Sequence, residues 1–387
     1  MIVSSPPQVV ETVSSAAAFE RLDEEWDGLV REMRRPSPFL LHAWLSEWWR
    51  HYGDGWTLAV HVVRENGRLL GALPLMVGVT SGVRVVRFMG GRQSALGDLL
   101  LAPEADDSVA GLLAGQLAVS DHHLVDLYGT PAASRIVAAL GPSRLHVITR
   151  IEAPVLELLP SWAAVYEARA SAKTRSLHRR RRRQLAALGR LEVSIARTPA
   201  QLEVALEDAF RLHALRWAGR PDGSGFVTPT GMHFHRAVIQ RLAALDVPRI
   251  VTLTLDGRAI AFHYFLAFES CMYVHRLAFD PALSRYSPGL VNTLDTIQIA
   301  ADEGLSRVEF LGGAERYKRE LADRFEPLCQ ALGLASGVRG HALLGAELGL
   351  IRLRLRLKRS PRLRRLYFER LAPVRLLAAR SRNALKP

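Results

Sequence analysis

Two stretches of the chain, 190 residues apart, follow one plan. Residues 56–78 read WTLAVHVVRENGRLLGALPLMVG and residues 249–268 read RIVTLTLDGRAIAFHYFLAF. Each has an apolar, β-rich run, then Asn-Gly or Asp-Gly followed by Arg, then a second apolar run. The dipeptides Asn66-Gly67 and Asp256-Gly257 suit a type I′ turn, in which both central residues need φ > 0. Each stretch therefore predicts a β-hairpin, and the chain must fold twice around the same motif.

The flanks repeat as well. Two helix-like stretches precede each hairpin: AFERLDEEWDGLVREM and HAWLSEWWRHYG in the first half, QLEVALEDAFRLHALRWAG and MHFHRAVIQRLAAL in the second. A further strand, a helix and a short apolar strand follow each hairpin, the last being HHLVDLYG and then LSRVEFLGG. The order ααββ–β–α–β, given twice, predicts tandem copies of one α/β unit with a mixed (α+β) sheet. A length of 387 residues accommodates two such units. The expected division is 10–155, 160–345 and a basic tail, 346–387.

Charge is concentrated rather than spread. The net charge is +13, yet residues 352–387 hold thirteen Lys/Arg against the single acid Glu369, so the first 351 residues carry about +1. Within them, residues 171–190 hold eight basic residues and no acid. Two basic patches on a mildly acidic body favour polyanions, acidic headgroups or phosphate-bearing substrates. No helix-turn-helix, finger or basic-zipper pattern accompanies them, which argues against sequence-specific DNA recognition. The two cysteines, Cys271 and Cys329, lack metal-ligand spacing and suggest a reducing, cytoplasmic compartment. The N-terminus lacks a signal-peptide pattern, and the longest uncharged run, Leu69 to Val83, is too short to span a bilayer.

Residues 165–196 predict one helix running into a strand, with Leu177, Arg181, Leu185 and Leu188 as its inner stripe. Five adjacent arginines, 179–183, span more than one helical turn and cannot all face one ligand. In the tail, Leu363, Leu366, Tyr367, Leu371 and Val374 fall on one helical side, and the alternating leucines of 353–357 also fit an edge strand. Such a basic amphipathic segment can dock on its own protein, lie on an anionic membrane or contact RNA. Docking on the body is the favoured expectation.

The copies diverge at the loop leading into the helix after the third strand. In the second, Pro281, Pro288 and Gly289 hold an irregular loop that feeds a helix starting near Ser287, which suits its cap. A helix N-terminus is a ready anion site, and Arg285 stands just before it. The first copy places Glu104, Asp106 and Asp107 at the same point, where carboxylates stabilise the helix but repel a phosphate. Only the second copy is expected to hold a pyrophosphate.

FDPALSRYSPGLV (279–291), followed by VEFLGGAERYKREL (308–321), resembles the C-terminal GNAT domain of the CelD/BcsL-like acyltransferases. SAKTRSLHRRRRRQL (171–185) resembles the basic helix that opens that domain. HALRWAGRPDGSGF (213–226) and the Asp-Gly hairpin fall between them in the expected order. The first half is similar to that group's divergent N-terminal GNAT-like copy, so the resemblance spans about residues 10–345. The Fem-type aminoacyl transferases share the tandem arrangement more distantly. The resemblance implies direct transfer of an acyl group from a thioester, usually acetyl-CoA, to an amine or hydroxyl. It implies that Arg285, Tyr286, Ser287 and Gly289 bind the donor's pyrophosphate. The common loop reads Gln/Arg-x-x-Gly-x-Gly/Ala, whereas this chain has Arg-Tyr-Ser-Pro-Gly-Leu.

Direct transfer calls for a base, an oxyanion site and an acid for the leaving thiolate. His263, inside the apolar strand AIAFHYF, is the candidate base, with His275 on the next strand as a second. Glu309 joins the candidate catalytic set from the strand before Leu311. Tyr317 could protonate the thiolate and Lys318 could steady negative charge. Arg179 and Arg182 are candidate contacts to an anionic acceptor or the donor phosphates, and Arg216 and Trp217 lie beside a candidate acceptor loop, 218–226. The cluster Asp121, His122 and His123 reads as the lead-in to a strand, and His233 to His235 as helix surface. No serine-hydrolase elbow, Walker loop, HExxH or zinc spacing occurs, so no metal is expected. The first expectation is an acyl-CoA-dependent transferase acting on a sugar, amino sugar or small metabolite. The alternatives are a Fem-like enzyme using aminoacyl-tRNA and a non-catalytic basic adaptor.

Overall fold

A computed structural model describes residues 8–105, 107–119, 121–159, 161–218, 225–312 and 315–359. The first half runs β1 (Val9–Val13), α1 (Ala16–Glu20), α2 (Asp23–Glu32), α3 (His42–Tyr52), β2 (Trp56–Glu65), β3 (Arg68–Thr80), β4 (Val83–Phe88) and the two-residue β5 (Leu100–Leu101). It continues through α4 (Asp107–Val119), β6 (Leu124–Pro131), α5 (Arg135–Leu140), β7 (Leu145–Ile151) and β8 (Pro154–Glu157). Helices α6 (Trp162–Arg169) and α7 (Ala172–Ala186) lead into β9 (Leu191–Ala196), α8 (Pro199–Trp217), α9 (Pro229–Ala243), β10 (Pro248–Leu255), β11 (Arg258–Phe268) and β12 (Cys271–Phe279). The chain closes with α10 (Pro288–Asp302), β13 (Arg307–Glu309), α11 (Arg316–Leu321), β14 (Arg324–Phe325), β15 (Leu328–Gly333) and α12 (Gly337–Arg359).

Both hairpins form as expected. Asn66 and Gly67 take φ of 51° and 83°, and Asp256 and Gly257 take 50° and 78°, the left-handed pair a type I′ turn requires. The twofold repeat is present in two mixed sheets. A leading strand, β1 in one copy and β9 in the other, precedes the helices. β1 escaped the sequence reading because Val-Val-Glu-Thr-Val is short and half exposed.

The sheets do not divide the chain where the repeat does. One sheet has the order β1-β2-β3-β4-β6-β15-β7, with β5 beside β3, and the other β14-β8-β13-β12-β11-β10-β9. In each, a parallel pair, β4 with β6 or β12 with β13, follows an antiparallel run. The next strand then comes from the other half. β8 of the first half pairs with β13, and β15 of the second half lies between β6 and β7. The two copies thus exchange a strand, and the boundaries 10–155 and 160–345 cut through both sheets.

The same interlocking shows at the helices. Trp44 of α3 is fully buried, edge-on to Phe234 of α9 at 5.3 Å and to His275 of β12 at 5.2 Å. Its indole donates to Ser94 Oγ at 2.8 Å. Burying a side chain of this size removes about 150–250 Å² from water, worth about 4–6 kcal/mol as an upper bound. His235, expected on the helix surface, sits in this core with 0% exposure.

Three local expectations change. The helix predicted across 165–188 breaks at Ala170, where the Ser171 side chain caps a new helix by accepting from the Thr174 N–H at 3.1 Å. The inner side of α7 is Thr174, His178, Arg181 and Leu185, while Leu177 and Leu188 are exposed. His178 turns inward to meet the Tyr166 hydroxyl at 2.7 Å, which sets that rotation. The tail's possible edge strand at 353–357 is part of α12, which also runs across the expected boundary at 345. Leu348 and Ile351 dock α12 on Leu332 of β15, so this part lies on the body. Residues 363–374 lie outside the described residues. No helix among the described residues is long and apolar enough to cross a membrane.

Because β15 is the shared neighbour of β6 and β7, a chain ending at Glu326 should lose the first sheet as well as α12. The expected outcome is loss of cooperative urea unfolding by circular dichroism, although every first-copy residue is retained.

Candidate functional site

The second sheet opens at one point. β12 and β13 pair in parallel over three residues, ending at Tyr273 opposite Glu309. Beyond it, the pairing of β11 with β12 shifts: Phe265 faces Val274 and Tyr264 faces Arg276, leaving His275 as an extra residue. A bulge of this kind bends its strand, and the pairing of β12 with the short β13 stops just before it. Past the far end of β12, a 3₁₀ turn over Pro281–Tyr286 leads to Ser287, held at φ 58°, and α10 begins at Pro288.

Ser287 stands at the helix start as expected, but its side chain makes no capping bond. Pro288 has no N–H, and the Leu290 and Val291 N–H groups both donate to the Ser287 carbonyl at 3.1 Å, so backbone bonds rather than a side-chain cap close the first turn. Arg285 stands beside this positive helix end, its guanidinium 4.6 Å from the Tyr286 ring centroid. A Cβ on Gly289 would stand 2.7 Å from the Phe279 ring, so close helix–strand contact requires glycine here. The Arg216 guanidinium lies on the same Phe279 ring at 5.0 Å. This brings one expected acceptor residue to the expected donor loop. Trp217 stacks on His213 at 5.7 Å, and residues 219–224 of the acceptor loop lie outside the described residues.

Tyr317 of α11 comes to α10, while its neighbour Lys318 turns toward the loop that precedes α11. The Tyr317 hydroxyl is in hydrogen-bonding contact with Thr293 of α10, and burial pushes its pKa up, so it stays protonated. Lys318 is buried, donates to the Gly312 carbonyl at 2.7 Å and pairs with Glu315 at 3.1 Å. Burial lowers its pKa. His263 is on the same face, 1% exposed, with neither ring nitrogen bonded among the described residues. Desolvation, aided by the charge of Lys318, pushes it down to about 3. A ring that stays neutral above about pH 3 is a weak proton acceptor.

Glu309 is 1% exposed and held by two guanidinium groups, Arg35 and Arg307, each at 2.7 Å. Arg35 belongs to the first copy and also reaches Glu326 at 3.2 Å. The Tyr273 hydroxyl donates to the Pro36 carbonyl beside this network. With both carboxylate oxygens engaged, Glu309 ties the copies together where β13 ends. Among the arginines of α7, Arg181 donates to the Arg285 carbonyl at 2.5 Å, bracing the turn over Pro281–Tyr286. Arg182 pairs with Asp295 of α10 at 2.5 Å. Arg179 is exposed.

Sequence reading missed Arg276. It follows the bulge and is half-buried, with desolvation lowering its pKa to about 10, so it keeps its charge at neutral pH. Its guanidinium donates to the His275 carbonyl at 2.8 Å and to Gln93 of the first copy at 3.4 Å. Gln93 in turn donates to the Tyr52 hydroxyl at 3.1 Å. The available signal was two adjacent basic residues, His275-Arg276, inside an apolar strand.

The first copy is built differently at the same place. There Arg87 and Asp126 form an ion pair at 3.0 Å just past the parallel pairing of β4 with β6. The segment 90–98 packs onto β6, with the Gly97 N–H donating to the Gly129 carbonyl at 3.2 Å. Asp107 stands at the start of α4 and pairs with Arg135 at 2.8 Å. Among the described residues no group of His, Cys, Asp or Glu is arranged to hold a metal.

Residues 172–319 match the family model of the acetyltransferase (GNAT) domain. The chain therefore carries a GNAT-type acetyltransferase domain in its second half. The fold is similar to that of FemX, with a TM-score of 0.55 and 9% identity over 79% of this chain and 95% of that one. It is also similar to the C-terminal domain of a putative lysylphosphatidylglycerol synthetase from Agrobacterium fabrum, at TM-score 0.54 and 14% identity over 86% and 96% of the two chains. A conserved protein of unknown function from Bacteroides thetaiotaomicron gives TM-score 0.54 and 11% identity over 84% and 100%. No curated protein matches in sequence.

Six buried histidines make stability pH-dependent, and desolvation lowers the pKa of His42 and His61 among them. Desolvation holds His213 down to about 4 and His263 down to about 3, and holds His235 and His275 well below 6.5. The unfolded chain therefore binds more protons below pH 6.5, and stability falls as pH drops through that value. Each residue contributes a slope of about 1.4 kcal/mol per pH unit until its folded pKa is reached. Denaturant titrations between pH 6 and 4.5 should show this loss, and His263→Asn should flatten the slope by about one proton.

Proposed function

We propose that the second copy is a GNAT-type acyltransferase of the CelD/BcsL-like kind. It moves an acyl group, acetyl in the simplest case, from acyl-CoA to an amine or hydroxyl of a sugar, amino sugar or small metabolite. The observation that carries this reading is the end of the β12–β13 pairing just before the bulge, with the start of α10, which has no side-chain cap, beyond it. A donor laid there has its pyrophosphate at Arg285, Tyr286, Ser287 and Gly289, where the Arg285 guanidinium and the helix dipole favour negative charge. Its thioester then lies toward Tyr317 and Lys318.

The acceptor's nitrogen or oxygen attacks the thioester carbonyl, the new C–N or C–O bond forms, and the C–S bond breaks. Tyr317, kept protonated by burial, donates a hydrogen bond to the departing sulfur, which leaves as the thiolate. The acceptor's proton passes to water, since His263 is a weak acceptor and Glu309 is committed to Arg35 and Arg307. Lys318 places positive charge beside the developing anion. Arg216 and Trp217 flank the acceptor's approach, Arg181 braces the donor turn, and Arg179 remains open to an anionic substrate.

One observation favours a second reading. Arg179, Arg180 and Arg183 form an exposed basic face on α7, which would suit a charged tRNA as aminoacyl donor. Such binding should weaken steeply as salt rises, through counterion release, whereas CoA binding should change far less.

The test is thermal unfolding with rising acetyl-CoA. At 100 times Kd a specific ligand adds about 2.7 kcal/mol, a visible shift in Tm. Wild type should shift and Arg285→Ala should shift less. Tyr317→Phe should bind the donor normally but turn over about 100-fold more slowly. A flat response from the wild type would remove acyl-CoA as donor.

A further inference from the structure

On the first copy, beside Gln93, lies a pocket of about 230 Å³ lined by Trp48, Trp56, Arg87, Arg92, Tyr128 and Gln330, with Asp126 at its floor. That volume equals about eight waters, enough for one ring rather than an extended chain. Its walls are aromatic: Arg87 lies over Trp56 and Arg92 over Tyr128, each at 5.4 Å. Close backbone contacts fix two of the rings. A Cβ on Gly78 would stand 2.5 Å from the Trp56 indole, and one on Gly91 3.0 Å from Trp48. Polar groups converge on the same floor. Asp126 accepts from Arg87 at 3.0 Å and from Gln330 Nε2 at 2.6 Å, and Gln330 is 4% exposed.

Two features point to a ligand rather than to sheet packing alone. Burying the Gln330 amide beside a half-buried ion pair carries a desolvation cost that an apolar side chain would avoid. The pocket is also built from both halves, since Gln330 arrives on the exchanged strand β15 opposite Tyr128. Its outer wall, Gly91 and Arg92, continues directly into Gln93, which accepts from Arg276 at 3.4 Å beside the β12 bulge. A Cβ on Gly225, next to the acceptor loop, would stand 2.7 Å from the Gln93 amide. The pocket and the opening of the second sheet are thus joined through a single residue.

We infer that this pocket anchors the acceptor, and that the acceptor is a sugar ring bearing one negative charge, such as a uronic acid. The inference deepens the transferase reading and rests on it for its purpose. Aromatic faces stack on the apolar face of a pyranose, while Asp126 and Gln330 offer an acceptor and a donor to neighbouring hydroxyls. Arg87 is offset by Asp126, so Arg92 supplies the one uncompensated charge. It matches a carboxylate. The reacting hydroxyl or amine then projects past Gln93 toward Arg276.

The experiment follows tryptophan fluorescence of the full chain titrated with glucuronic acid, glucose and acetate, with acetyl-CoA binding measured on the same samples. Glucuronic acid should bind saturably, at least about tenfold tighter than glucose, and acetate should not bind. Arg92→Gln should reduce glucuronic acid to the affinity of glucose, and Tyr128→Leu should weaken both sugars. Glucuronic acid binding no tighter than acetate, or both variants matching wild type, overturns the inference. Normal acetyl-CoA binding alongside that result leaves the transferase reading standing. Sugar binding without acetyl-CoA binding sinks that reading and keeps the pocket.

Discussion

Three residue pairs between β12 and β13 hold the second sheet together and determine where it opens. Their hold depends on neighbours from the other copy. β8 flanks β13 on its outer side, and Arg35 neutralises Glu309 at the last pair. An unpaired carboxylate in so enclosed a position would cost several kcal/mol. The opening is therefore maintained by the first copy, which also supplies Gln93 to the charged Arg276 behind the bulge. The strand exchange makes this dependence mutual, since β15 completes the first sheet.

A duplicated fold with one proposed donor site follows from local differences rather than from a different architecture. Both copies have the parallel pair and the following helix. At the first helix start, Asp107 brings negative charge, and just past the parallel pair Arg87 and Asp126 form an ion pair. In the second copy, Ser287 makes no side-chain cap at the helix start, and the pairing of β12 with β13 stops just before the bulge. Electrostatics and one added residue in β12 distinguish them.

The repeated hairpins, the short apolar strand after each helix and the turn into α10 were legible in the sequence, because each depends on local chemistry: φ > 0 at Asn-Gly and Asp-Gly, apolar runs, and proline at a helix start. The exchange of β8 and β15 was not. A four-residue strand such as Pro154–Glu157 has the same pattern whichever sheet it joins, and long-range pairing leaves no periodic trace. The orientation of α7 was misread because leucine and arginine compete for its faces, and the bond from His178 to Tyr166 decides. His263 and Glu309 look like catalytic groups in sequence. Their environments, a desolvated ring and a doubly paired carboxylate, appear only in three dimensions. Tyr317 and Lys318 are neighbours in sequence but part in space: the Tyr317 hydroxyl meets Thr293 of α10, whereas Lys318 turns to Gly312 and Glu315. Arg276 and Gln93 matter through contact between copies, which a single sequence does not display.

The most direct test of the donor site is amide hydrogen exchange with and without acetyl-CoA. Slowed exchange confined to residues 281–291, with the first copy's residues 103–112 unchanged, is the expected result. Protection at 103–112 instead, or none at 281–291 under saturating acetyl-CoA, would contradict a donor site at the start of α10.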